Sequence, residues 1–273
     1  LKGGQTSAAS SCSGTQARFS GICSRIIAWI YPERCAGCRR VFRPPSGAGG
    51  GRLGRYLCPG CLAKTEPIVP PLCTRCGLPF ATAAGPGHLC GDCIGAGRPF
   101  EKARAVFTYQ GPVRELVRGL KYHGRTDLAR PLGRLMLDTL RCYWDLGEFD
   151  LAVPVPLHRR RERRRTYNQA WLLLRGLKRA AAGQGLANLP FAIEKGVLSR
   201  RRPTRPQAGL SRSRRRENIR RAFEVCRPDL VRGRRVLLAD DVMTTGATAE
   251  ACCRCLLRGG AEKVDVLVLA RAG

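Results

Sequence analysis

The hydrophobic pattern divides the chain near Phe100. Downstream of it, apolar positions recur at regular spacings. The run at 103–109 (ARAVFTY) predicts a strand. Gly111-Pro112 reads as a turn, with the proline suited to the first position of a helix. Val113, Leu116, Val117 and Leu120 then keep the i, i+3, i+4, i+7 spacing of an amphipathic helix. Leu128, Leu132, Leu135, Met136 and Thr139 mark a second helix, and Ala170, Leu173, Leu174 and Leu177 a third. A short buried strand is predicted at 149–155 (FDLAVPV). The run at 235–239 (RVLLA) is nearly all apolar, as a parallel strand covered on both faces requires. A helix from about Thr248 to Leu257 and a strand at 264–269 (VDVLVL) close the chain. Strands alternating with helices predict an α/β domain with a mostly parallel sheet.

Upstream of Phe100 the periodicity fades. Residues 1–21 are rich in Gly, Ser, Ala and Thr and are predicted to be disordered. Residues 26–31 suit one helical turn before Pro32, and the Gly/Pro-rich stretch 44–54 suits a loop. Eight cysteines between 35 and 93 form four Cys-x-x-Cys pairs: Cys35/Cys38, Cys58/Cys61, Cys73/Cys76 and Cys90/Cys93. A segment so poor in apolar residues cannot fold on a core of its own, so metal must supply the missing stability. Each pair presents two thiolates on one knuckle, and two knuckles complete a tetrahedral, closed zinc site with no place for a catalytic water. Sequential pairing gives two ribbons, and interleaved pairing satisfies the same spacing. Redox dithiols are disfavoured, because such motifs open a helix after a strand whereas Gly and Pro crowd these. His88 reads as a surface residue rather than a ligand, and Cys252, Cys253 and Cys255 as buried free thiols.

Length and composition narrow the class. The 273 residues, 44% of them hydrophobic, suit one large or two smaller globular domains, and no apolar run reaches the ~18 residues of a membrane span. Arg25 interrupts the one apolar stretch near the start, so no signal peptide is read, and paired thiols kept for metal predict a reducing, cytoplasmic compartment. The formal net charge is +29. Coding bias can exchange Lys for Arg, but it does not create such a surplus, which predicts polyanionic partners.

The most informative segment runs from Val236 through Leu238, Ala239, Asp240, Asp241, Val242, Met243, Thr244, Thr245, Gly246 and Ala247 to Thr248. It reads as a buried strand, an acidic pair at the strand's carboxyl end, a tight Thr/Gly loop and a helix. Ligands of open α/β sheets bind at carboxyl ends of strands, and a helix start offers unpaired amides to an anion. Adjacent carboxylates beside such a cradle suit sugar hydroxyls or a hydrated Mg²⁺. The segment resembles the phosphoribosyl pyrophosphate (PRPP) motif of type I phosphoribosyltransferases, with Ala239 where a larger aliphatic residue is usual.

Further motifs carry a resemblance to the ComF family of competence-associated, phosphoribosyltransferase-like proteins. They are Trp29-Ile30-Tyr31-Pro32-Glu33-Arg34-Cys35, the double ribbon, Tyr109-x-Gly111 leading to Lys121-Tyr122, and Val153-Pro154-Val155-Pro156-Leu157. Arg165-x-Tyr167-Asn168-Gln169, Thr204-x-x-Gln207-x-x-Leu210-Ser211 and Arg215-x-x-Asn218 continue the series in order. Thr166 stands where the family usually has glycine. The resemblance implies a type I phosphoribosyltransferase-like sheet over residues 99–273, preceded by a zinc-ribbon module over 22–98 holding two Zn²⁺. It implies that Asp240 and Asp241 meet the ribose hydroxyls of PRPP and carry any catalysis, that Thr244, Thr245, Gly246, Ala247 and Thr248 hold its 5-phosphate, and that Mg²⁺ accompanies it. Val155, Pro156 and Leu157 take the place of the pyrophosphate loop, and 204–218 that of a mobile flap.

Two arginine runs flank this expected site. One holds Arg159, Arg160, Arg161, Arg163, Arg164 and Arg165 with one acid, Glu162; the other, over 200–221, includes Arg214, Arg215 and Arg216 with one acid, Glu217. Charge runs are ordinarily solvated surface. A single pyrophosphate needs few cations, so the surplus fits single-stranded DNA held by its backbone, and the nearby aromatics Tyr167 and Trp171 are too few for base readout. Two functions follow: a PRPP-binding module for single-stranded DNA during uptake, alongside protein partners of that machinery, or a Mg²⁺-dependent phosphoribosyltransferase of nucleotide salvage. A zinc-ribbon transcription factor would leave the PRPP motif idle.

Overall fold

The computed structural model describes residues 33–45, 51–81, 85–95, 97–186, 188–201 and 222–272. Its centre is a parallel sheet of β1 (Ala103–Thr108), β2 (Leu151–Pro154), β3 (Ala192–Ile193), β6 (Arg235–Met243) and β7 (Lys263–Arg271), in the order β1-β7-β6-β2-β3. Helices α1 (Gly111–Tyr122), α2 (Ala129–Tyr143) and α4 (Gln169–Ala182) cover one face; α5 (Ala247–Arg258) covers the other. Between β2 and α4 lies α3 (Arg159–Arg165), and β4 (Leu198–Arg200) pairs antiparallel with β5 (Phe223–Val225). No helix among the described residues is long and apolar enough to cross a membrane.

The two faces follow from the period-two alternation of strands. Ala152, Leu237, Ala239, Leu267 and Leu269 join the core under α1, α2 and α4. Leu151, Val153, Val236, Leu238, Val264, Val266 and Val268 join the core under α5. α2 and α4 cross closely because Gly176 has no side chain: a Cβ there would stand 2.0 Å from the Ala129 carbonyl oxygen.

The ribbons share these cores. Cys35 and Cys61 pack with Val113 and Leu116 on the α1 side, whereas Cys73, Cys76, Cys90 and Cys93 pack with Phe100, Ala105 and Met243 on the α5 side. The chain crosses between the two along the outer edge of β1. There Ile68 N donates to the Val106 carbonyl at 2.9 Å, and Thr108 N to that of Glu66 at 2.9 Å. An exposed edge strand is thereby covered. The cysteine segment thus lacks an independent core, as its composition predicts, because it completes those of the sheet.

Most predicted elements form within a residue or two of their expected limits. One reading changes and two elements are added. The predicted strand end before Asp240 is exceeded, since β6 continues to Met243 and pairs with β7 through Asp240↔Val268 and Met243↔Arg271. The first arginine run is helical over Arg159–Arg165, where the His158 ring accepts from the Arg160 amide as a cap. The small β4–β5 hairpin has no counterpart in the sequence pattern. The expectations for 1–21, for 26–31 and for the Arg-rich 202–221, with Arg214, Arg215 and Arg216 and the whole 204–218 flap motif, lie outside the described residues.

Thr166 closes α3 in the left-handed region, at φ 66° and ψ −11°. A residue with a Cβ pays roughly 1–2 kcal/mol there, which explains the usual glycine. Thr166→Gly is therefore expected to raise stability by about 1 kcal/mol, read as a shift in the denaturation midpoint without a change in slope.

Candidate functional site

Among the described residues, all eight paired cysteines gather into two tetrads: Cys35, Cys38, Cys58 and Cys61, and Cys73, Cys76, Cys90 and Cys93. Within each, the sulfurs lie within 4.8 Å of one another. Pairing is sequential; the interleaved alternative is not realised. Both tetrads repeat one hydrogen-bond pattern. Cys35 Sγ accepts from the amides of Gly37 at 3.4 Å and Cys58 at 3.3 Å; Cys73 Sγ accepts from Cys76 at 3.4 Å and Cys90 at 3.3 Å. Burial alone would raise both thiols, but the amides outweigh it and bring Cys35 and Cys73 down to about 6. Amide-stabilised thiolates in a four-sulfur cage fit a closed, tetrahedral zinc site. Cys252, Cys253 and Cys255 are buried in α5, as expected of inert thiols, and burial raises all three.

The second site lies at the carboxyl ends of the central strands. β6 runs through α5 to β7 on one side, while β2 leads to β3 on the other, so the strand order reverses between β6 and β2. That reversal opens a crevice, the usual ligand position in such sheets. A cleft of about 460 Å³ occupies it, lined by residues that include Lys121, Val155, Pro156, Leu157, Asp240, Asp241 and Thr248.

The adjacent acids do not act as a matched pair, because neighbours on a strand face opposite ways. Asp241 turns with Leu237 and Ala239 toward α1, where Lys121 Nζ lies 2.9 Å from its Oδ1. Asp241 is buried, and its Oδ2 has no hydrogen-bond partner. Asp240 turns toward the α5 side, and its Oδ1 accepts from the Asp241 amide at 2.8 Å. Burial, then the Asp241 charge, push Asp240 up to about 7, against the opposing pull of Lys121. One cation and two carboxylates with a partnerless buried oxygen form a polar group that a further donor would complete.

The loop after β6 is set by Gly246, which takes φ +81° and caps α5. Thr244 is exposed, Thr245 and Thr248 are half-buried, and Ala247 is buried. A small recess of about 30 Å³ lies inside this loop, between Asp240 and Thr248. Across the crevice, Asn168 donates to the Val155 carbonyl at 2.9 Å and accepts from the amides of Ala170 and Trp171, fixing the segment after β2 to the start of α4. Of the arginines in α3, Arg161, Arg164 and Arg165 line the cleft; Arg159, Arg160 and Arg163 are exposed. Arg165 donates to Gln169 at 3.0 Å and sits over the Tyr122 ring at 4.7 Å. The first run's one acid, Glu162, pairs with Lys195 outside the run, while Arg201 at the start of the second pairs with Glu224.

Lys121 had a place in the sequence motifs but no role, since its partner lies 120 residues away. Arg200, buried at the base of the hairpin, lines the same cleft and was hidden within a charge run.

A parallel sheet with a Thr/Gly loop at its switch point, joined to two four-cysteine sites, defines a double zinc ribbon protein with a phosphoribosyltransferase-type domain. The double zinc ribbon domain matches residues 26–94, and the phosphoribosyl transferase domain matches residues 199–273. DNA utilization protein YhgH of Escherichia coli O157:H7 is 36% identical over 226 residues, covering 80% of this chain and 92% of that protein. Competence protein F of Haemophilus influenzae is 32% identical, covering 79% and 90%, and competence protein ComFC of Bacillus subtilis is 26% identical, covering 79% and 84%. The chain belongs to this family, the ComF family.

Proposed function

We propose that this protein binds PRPP in the crevice between β2 and β6 and handles single-stranded DNA during DNA uptake. The observation that carries the reading is the convergence of the 244–248 loop, Asp240, Asp241 and the Val155, Pro156 and Leu157 segment on one cleft. In this reading the 5-phosphate meets the amides at the start of α5 and the threonine hydroxyls, as anions meet helix N-termini. Asp240 and the partnerless Oδ2 of Asp241 receive the ribose hydroxyls. The pyrophosphate lies toward Val155–Leu157, beside Arg161, Arg164 and Lys121. The carboxylates and the phosphates supply the hard oxygens that Mg²⁺ prefers. Residues 22–98 serve as the ribbon module and 99–273 as the binding domain.

The names of the relatives support the DNA role: one is a DNA utilization protein and another a competence protein. The exposed Arg159, Arg160 and Arg163 supply cations beyond those that one pyrophosphate needs, on the same short helix that lines the cleft with Arg161, Arg164 and Arg165. Protein partners in the uptake machinery fit the same role.

Single-strand binding is expected to be independent of sequence and steeply salt-dependent, with log K falling by about 0.7 per phosphate for each unit of log salt. Replacing Arg159, Arg160 and Arg163 with Ala should flatten that slope by up to about two units. Fluorescence titration of random oligonucleotides across a salt series checks this. An unchanged slope would make these arginines ordinary solvated surface.

A further inference from the structure

Arg98 stands five residues after Cys93, the last ligand of the second tetrad. Its side chain is 5% exposed and reaches the Thr/Gly loop from below. Nη1 donates to the Thr245 carbonyl at 3.3 Å and forms an ion pair with Glu250. Nη2 lies 3.9 Å from Asp92. A Cβ on Gly246 would stand 3.2 Å from the same Nη1, so the loop closes directly over the guanidinium. A guanidinium keeps its charge throughout the physiological pH range, and the Glu250 carboxylate beside it offsets the cost of burial.

Two consequences follow from elementary geometry and charge. In a trans peptide the N–H points opposite to the carbonyl. Holding the Thr245 oxygen toward Arg98 therefore turns the Gly246 N–H to the opposite side, away from the guanidinium. Glu250 lies in the first turn of α5, with its side chain also 5% exposed. A carboxylate at a helix start is favoured by the dipole, but it competes with any second anion brought to the same end. Arg98 cancels that charge at its source; Arg254, 3.5 Å from the other Glu250 oxygen, is half-exposed and contributes less.

We propose that Arg98 is a positioning residue, contributed by the second zinc ribbon, that sets the 244–248 loop to receive a sugar phosphate and screens that phosphate from Glu250. The ribbon is therefore part of the ligand site's support. A second tie reinforces it: Arg271 of β7 donates to the Cys76 carbonyl at 3.0 Å. This inference rests on reading the loop as the 5-phosphate site.

The test is calorimetry on the full zinc-loaded chain with ribose 5-phosphate and, separately, inorganic pyrophosphate. Arg98→Ala should weaken ribose 5-phosphate by about tenfold, the size that one charge carries at a partly buried helix end. Pyrophosphate should change by less than about twofold, since its place is on the β2 side of the crevice. The double variant Arg98→Ala with Glu250→Gln should recover only the share of the loss that comes from the unscreened Glu250 charge, and it leaves no uncompensated buried carboxylate, so it also guards against misfolding. Zinc content and the unfolding midpoint accompany each variant. Equal losses for both ligands, or no loss, would overturn the positioning role, and no recovery in the double variant would overturn the screening of Glu250. Failure of the wild-type chain to bind ribose 5-phosphate at all would overturn the phosphate reading itself, and this inference with it.

Discussion

Substituting Cys76→Ser is expected to unfold far more than a surface knuckle. Cys73, Cys76, Cys90 and Cys93 are all buried and share one core with strands of the sheet and with α5. Structural zinc supplies roughly 10–16 kcal/mol of apparent binding free energy, which rivals the whole stability of an ordinary domain at about 5–15 kcal/mol. In the variant, three sulfurs and a serine hydroxyl are left without metal in this core, and Arg271, 3.5 Å from Cys76 Sγ in the wild type, loses its anionic neighbour. The wild-type chain should carry two zinc ions, and the variant should lose the second ion together with most of its cooperative unfolding transition. Cys38→Ser at the exposed rim of the first tetrad should cost less, because Cys38 belongs to neither core. Elemental analysis joined to thermal unfolding checks both; wild-type protein purified anaerobically without stoichiometric zinc would contradict the expectation.

The second large effect separates the two neighbouring acids. Asp241 is buried and its partner Lys121 half-buried, so Asp241→Asn is expected to cost up to about 3 kcal/mol, the lower end for a fully buried pair. Asp240→Asn is expected to do the reverse. The Asp240 carboxyl is raised from 3.8 to about 7, so the folded chain holds a proton there that the unfolded chain has lost between those values. Stability from this group is therefore fully present below about pH 4 and is lost as pH rises through 7. A neutral amide removes that cost, and Asp240→Asn should be more stable than wild type at pH 8, on the order of 2 kcal/mol, with little difference at pH 4. Both variants should bind PRPP at least tenfold more weakly. Denaturant unfolding at the two pH values, paired with ligand titration, checks the prediction. Two acids with the same stability effect would mean that they share one environment.

The sequence made the sheet and its helices legible because each buried element carried an unbroken period: Val113 to Leu120 for α1, and the apolar run into β6. It also showed the four cysteine pairs, whose partners lie on short loops. Other features depended on tertiary context. The acids at 240 and 241 look like a pair in a linear string, yet the strand continues through them and sends them to opposite faces. β4 and β5 have three residues each, too few to show a period, and they flank an arginine-rich stretch that masks them. Arg98 carries no local signal, since it meets Thr245 and Glu250 only when the second ribbon folds onto α5.

Calorimetric titration of the zinc-loaded chain with PRPP and Mg²⁺, in wild type and in Asp240→Asn, tests the central claim most directly. The site described here predicts one saturable site per chain in wild type, weakened at least tenfold by Asp240→Asn while the fold and both zinc ions are retained. No saturable heat with the wild-type chain, or equal affinity in the variant, would contradict it.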